Sequence, residues 1–105
     1  MTQAAEHDPV AGVKQKIMDG ALTDALAEVA GVLAAAPDDT EALYLQAVAQ
    51  RYSGDRPAAL ETLHRLKELA PGHGRAHQEE GHIQRDIGAL EPALRAYARA
   101  MQLNP

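Results

Sequence analysis

Prolines recur at one interval in this chain: the step from Pro37 to Pro71 is 34 residues, and so is the step from Pro71 to Pro105. The same step joins Gly20, Gly54 and Gly88, then Ala25, Ala59 and Ala93, then Leu26, Leu60 and Leu94. Ala42 returns as Ala76, and Leu69 as Leu103. Four residue classes obeying one register three times each define an internal repeat, and a repeat of this length is one supersecondary unit that must stack on its neighbours to bury a core.

Each recurring residue has a mechanical role. The glycines stand between two helical patterns, where a left-handed residue ends a helix without steric cost. The prolines close the second helix of each unit, because proline cannot continue the hydrogen-bond ladder. The alanines lie near the start of each second helix, where a small side chain lets two backbones approach. In the middle unit, Asp38 reads as an N-cap with Glu41 completing a capping box. A helix follows over Thr40 to Tyr52, with Leu43, Ala47 and Gln50 on one face, and Ser53-Gly54-Asp55 is the turn. Pro57 falls in the first turn of the next helix, and Leu60, Leu63, Leu66 and Leu69 follow at helical spacing. The third unit repeats this with a helix over Ala76 to Ile87, the turn at Gly88, Pro92 in the next first turn, then Leu94, Tyr97, Ala100 and Met101. The first unit is weaker: Pro9 limits its first helix to about Val10–Asp19, and Gly31 is expected to interrupt its second.

Composition points the same way. Phenylalanine and tryptophan are absent, the aromatics are Tyr44, Tyr52 and Tyr97, and alanine is abundant. A core of Ala and Leu requires helices packed at close range, and strand formers are too few for a sheet.

These features resemble the tetratricopeptide repeat, a 34-residue helix–turn–helix unit with small residues at the helix crossing and proline at its end. Gly81, Gly88, Ala93, Tyr97, Ala100 and Pro105 match in the third unit; Gly54, Ala59, Leu63 and Pro71 in the second; Gly20, Ala25 and Pro37 in the first. Leu43 and His77 stand where that family often has an aromatic, and Gln46 and Gln50 replace its usual Leu and Tyr. The resemblance implies an all-α fold, a right-handed α-solenoid of about three units and about six antiparallel helices. The units divide as residues 6–39 (degenerate), 40–73 and 74–105, after a flexible lead over 1–5.

Charge and residue inventory exclude several function classes. Ten Lys and Arg against fifteen Asp and Glu leave a net charge of -5, opposite to what phosphate binding needs, so no nucleic-acid partner is expected. Without cysteine there is no disulfide framework, thiolate zinc site or cysteine nucleophile. Glu6, His7 and Asp8 interrupt any signal peptide, and no apolar run has membrane-spanning length, so the chain reads as cytoplasmic with no membrane partner. Ser53, the single serine, sits in a turn without a nucleophile elbow, and no glycine loop has phosphate-cradling spacing. The chain is expected not to be an enzyme and to need no cofactor. Five histidines raise the question of a metal. His73 lies in a loop between Gly72 and Gly74, and His77 and His82 are five apart rather than the four that a zinc box needs. The reading is structural, with His77 packed at the hairpin crossing and no metal ligands.

What the resemblance implies about function is a groove lined by the first helix of each unit, where an extended peptide or a helix of a partner protein lies. By the repeat register, groove positions include Val10, Lys14 and Ile17 in unit one. In unit two they include Glu41, Tyr44, Val48, Arg51 and Tyr52. In unit three they are Arg75, Gln78, His82, Arg85 and Asp86. Tyr44, Val48, Arg51, Tyr52, Arg75, Gln78, His82 and Arg85 form the candidate peptide-binding set, and its arginines suggest an acidic partner segment. The family's carboxylate clamp for chaperone tails is not expected: its positions here hold Val10, Lys14, Leu45, Arg75 and Glu79, of which Leu45 cannot donate and Glu79 repels a carboxylate. The last unit would leave Leu90, Leu94 and Met101 uncovered, consistent with either a fragment of a longer protein or a homodimer through the uncapped terminal repeat. The alternative function is a docking or regulatory segment of a multi-domain bacterial enzyme, since the stretch from His77 to Pro105 is similar to the leading arrays of sulfotransferase-like enzymes.

Overall fold

A computed structural model describes residues 8–104; the lead expected over 1–5 and the terminal Pro105 lie outside the described residues. The described residues form six helices and no strand. They are α1 (Ala11–Met18), α2 (Leu22–Ala35), α3 (Thr40–Tyr52), α4 (Arg56–Leu69), α5 (Gly74–Asp86) and α6 (Leu90–Leu103). Each helix packs on its neighbours in the chain, and α3 also touches α1 and α5. Three antiparallel hairpins therefore stack in order into a body of 50 × 27 × 21 Å.

The three hairpin turns are built alike. Gly20, Gly54 and Gly88 hold φ of 79°, 87° and 84°, the left-handed region that L side chains resist. That kink lets the next residue's N–H reach back over the helix end: Ala21 to the Lys16 carbonyl (2.8 Å), Asp55 to Gln50 (2.9 Å) and Ala89 to Gln84 (2.8 Å). Otherwise orphaned C-terminal carbonyls are thereby satisfied. Within each hairpin the small residues do what their spacing predicts: Ala25, Ala59 and Ala93 are buried at the crossings. In the third hairpin Gly81 adds closer approach, since a Cβ built there would lie 2.7 Å from the Tyr97 ring.

Two apolar clusters run along the seams. Val10, Val13, Ala25, Val29, Ala42 and Leu45 join the first hairpin to α3. Leu43, Ala47, Ala59, Leu63, Leu66, Ala76 and Ile83 join the second hairpin to α5. Leu33 and Tyr44 pack against both, so the core is continuous between hairpins.

Four local expectations need correction. The N-cap of α3 is Asp39, not Asp38: its side chain accepts from the Ala42 N–H at 3.0 Å. The residue three beyond Asp39 is Ala42, so no capping box forms, and Asp38 instead accepts from Arg65 at 2.8 Å. The α2 helix runs unbroken through Gly31, because buried Ala25 and Val29 outweigh the roughly 1 kcal/mol helical cost of one glycine. The first helix of the third hairpin begins at Gly74, with His73 as N-cap. His77 is not packed at a crossing; it is half-buried, with its Nε2 3.2 Å from the Pro71 carbonyl oxygen.

Two glycine substitutions should move stability in opposite directions. Gly81→Ala should cost about 1–3 kcal/mol through overpacking against Tyr97. Gly31→Ala, where no atom lies within 4 Å of the added Cβ, should gain about 0.5–1 kcal/mol. Urea denaturation of both variants checks the pair of signs.

Candidate functional site

The first helices of the hairpins converge on one open recess of about 590 Å³. Lys14, Ile17 and Met18 come from α1, Glu41, Tyr44, Leu45, Val48 and Tyr52 from α3, and Arg75 from α5. Four of the eight residues expected in the groove, Tyr44, Val48, Tyr52 and Arg75, line this recess. Register alone did not select Met18 and Leu45. Met18 follows Lys14 by one turn and Ile17 directly, a spacing that could have pointed to it. Leu45 sits at the edge between groove and core, 7% exposed. Val10, assigned to the groove by register, is instead buried in the first seam.

The recess has two chemically different ends. At one end Glu41 accepts from Arg75 at 2.6 Å and lies 3.8 Å from the Lys14 ammonium. The Arg75 guanidinium lies over the Tyr44 ring, 4.4 Å from its centroid, a cation–π arrangement. The His73 ring packs near the same phenol, centroids 5.7 Å apart. Burial raises the Tyr44 phenol above its ordinary value; Glu79 adds to this and Arg75 opposes it. The other end is apolar: Met18 is 80% exposed and Tyr52 55%, with Ile17 and Val48 between them.

Arg51, Gln78, His82 and Arg85 do not line this recess. The Arg51 side chain is 14% exposed, bonded through Nε to the buried Glu79 carboxylate, 3.8 Å from Asp86 and over the Tyr52 ring. Burial works against its charge, but Glu79, Tyr52 and Asp86 prevail and raise its pKa above the ordinary value. Arg85 bonds Asp86 at 3.1 Å. Gln78 lies in a separate shallow depression with Gly74, Ala100, Met101 and Asn104.

The repeat register explains why Arg51 turns inward. One unit earlier, Ile17 and Leu45 occupy the positions of Arg51 and Glu79, and they pack together in the first seam. The second seam thus carries an ion pair where the first carries an aliphatic pair. Removing one member of a buried pair leaves the other charge uncompensated.

Two histidines, His73 at the N-cap of α5 and His82 within it, each place Nδ1 against a hydrogen-bonding partner. His73 Nδ1 accepts from the Ala76 N–H at 3.1 Å, the role that Asp39 plays one unit earlier. His82 Nδ1 and the Tyr97 hydroxyl lie 2.8 Å apart, at hydrogen-bond distance. Burial lowers both imidazoles below the ordinary value. Arg75 lowers His73 further while Glu41 opposes. At His82 the Glu79 charge opposes, and Arg51 and Arg85 reinforce the lowering.

Among the described residues no group of three or more His, Asp or Glu is placed to hold a metal ion, and no helix is long and apolar enough to cross a membrane.

Stacked hairpins with glycine turns, alanine crossings and a recess lined by the first helices are an α-solenoid of the tetratricopeptide type. Among solved structures, the MamA RS-1 ArsTM double mutant superposes with a TM-score of 0.78 at 23% sequence identity, over 87% of this chain and 51% of that one. This chain therefore spans about half the length of that tetratricopeptide-containing structure. No family model and no curated protein matches the chain.

Two measurements test the charged groups. Arg51→Ala or Glu79→Ala alone should cost about 3–5 kcal/mol. The double change Arg51→Ile with Glu79→Leu, which copies the first seam, should recover most of that loss or exceed wild type; urea denaturation of the three variants closes the cycle. Because folded His73 and His82 bind protons less readily than their unfolded forms, the stability they contribute is complete above about pH 6.5 and is lost as pH falls through their lowered folded values. His73→Asp should flatten part of that decline in a series of melting temperatures against pH, since a carboxylate caps without a neutral imidazole.

Proposed function

We propose that this chain is a non-catalytic protein-interaction scaffold that holds a peptide or short helix of a partner protein in the recess between α1, α3 and α5. The observation that carries the reading is the convergence of apolar and cationic side chains from three hairpins on one open cleft. A monomer in water gains nothing by leaving Met18 and Tyr52 exposed side by side with Ile17 and Val48, whereas exposed apolar clusters rimmed by polar groups are what binding sites present. Tyrosine and arginine suit such a site because they offer wide contact with a directed polar end. The resemblance to a tetratricopeptide structure supports the same reading at the level of fold.

The interaction set follows from the recess: Tyr44, Val48, Tyr52 and Arg75 with Lys14, Ile17 and Met18. Arg51 acts behind it, holding α3 and α5 together, while Gln78, His82 and Arg85 lie outside it.

Met18→Asp changes an exposed side chain and should leave helicity and melting temperature near wild type. Affinity capture from native lysate with the two proteins, read by mass spectrometry, should show a partner retained by wild type and depleted about tenfold or more by the variant, as for loss of central contact residues. Equal recovery of every protein by both would reject the recess as the binding surface.

A further inference from the structure

The outer face of α6 repeats a stacking surface and leaves it bare. Its Met101 takes the position held by Leu33 in α2 and by Lys67 in α4. Leu33 packs against the seam cluster of the later hairpins, and Lys67 bonds Glu80 of α5, so this position faces the following hairpin. Leu94 shares its position with Leu26 and Leu60, both half-buried. Among the described residues α6 packs on α5 alone, and Leu90, Leu94 and Met101 stand 64%, 67% and 69% exposed. With the exposed Ala98 they follow at steps of four, four and three, the spacing of one helix face. The other end of the stack does not match it. The seams bury Ala42 and Ala76, Leu45 and Glu79, Ala49 and Ile83; the same register places exposed Asp8, Ala11 and Gln15 in the first hairpin. Asp8 accepts from the Val10 N–H and Gln15 donates to Asp19. A copy stacked head to tail would press those polar groups against leucine and methionine.

We propose that α6 pairs with α6 of a second copy of this chain, antiparallel about a two-fold axis at Leu94, in a closed dimer that carries two recesses. The face complements itself in this register. Leu94 meets its own counterpart, and Leu90 of each copy lies over Ala98 of the other, large against small. Glu91 falls beside Arg95 of the second copy, opposite charges on the flank of the apolar stripe. An isologous contact uses the same patch twice and closes, so it adds no third copy. The patch is one helix face about 17 Å long, smaller than a standard interface, which places association between about 10 µM and 1 mM. No residue of α6 lines the recess between α1, α3 and α5. Both recesses therefore stay open in the dimer, and a partner presenting two segments gains avidity. The dimer stands or falls independently of what the recess binds.

Sedimentation equilibrium on the full chain, from about 10 µM to 2 mM, should carry the mass from 11.2 kDa toward twice that value and no further. Leu94→Glu and Leu94→Lys each set like charges across the axis and should stay monomeric throughout, with helicity by circular dichroism unchanged. Mixed in equal amounts the two should associate again, because the axis then joins opposite charges. Met101→Gln, a milder change on the same face, should weaken association about tenfold and serves if the Leu94 variants lose helicity. Met18→Asp should associate like wild type. A wild type that stays monomeric at every concentration would overturn the proposal and leave the recess reading intact. So would a mass that climbs past the dimer, the mark of head-to-tail stacking. Dissociation by Met18→Asp but not by Met101→Gln would seat the second copy in the recess and would overturn it too.

Discussion

No single hairpin of this chain can bury its own apolar stripe, and every other feature depends on that. Alanine at the crossings brings two helices together, but Leu63 and Leu66 on α4 or Val13 on α1 reach zero or near-zero exposure only when the next hairpin covers them. Fully burying each such side chain contributes about 1.5–3 kcal/mol, far more than helix propensity supplies over fourteen residues. Stacking in chain order follows from the short turns, and it aligns the first helices along one side. The recess is a by-product of the same stacking that makes the core.

The two seams solve one packing problem with different chemistry. Ile17 against Leu45 is apolar; Arg51 against Glu79 is ionic, reinforced by Asp86 and by the Tyr52 ring. A buried ion pair is a poor source of stability relative to an aliphatic pair of similar volume. It does define register, because a slipped hairpin would leave a carboxylate and a guanidinium buried apart. The same pair keeps Arg51 out of the recess, whose cationic lining is Lys14 and Arg75.

Much of the architecture was legible because repeat register is a property of the chain itself. Gly20, Gly54 and Gly88 announce left-handed turns, and Ala25, Ala59 and Ala93 announce crossings, since only small residues serve there. Cap identity was less legible. Asp38 and Asp39 are adjacent and both able to cap, and only the start of α3 at Thr40 decides between them. Gly31 misled because propensity is a weak prior that buried neighbours override.

The groove was half legible for a related reason. Helical periodicity told which side chains of α3 share a face, so Tyr44, Val48 and Tyr52 were found together. It could not tell which of three arginines would be consumed by internal pairs, because Glu79 meets Arg51 only after two hairpins dock. Composition and spacing by themselves determined the repeat, its helices and its turns, all of which are set by local backbone chemistry. The tertiary structure alone decided which charges remain available, since an ion pair between helices 28 residues apart in sequence exists only once burial has brought its partners within reach.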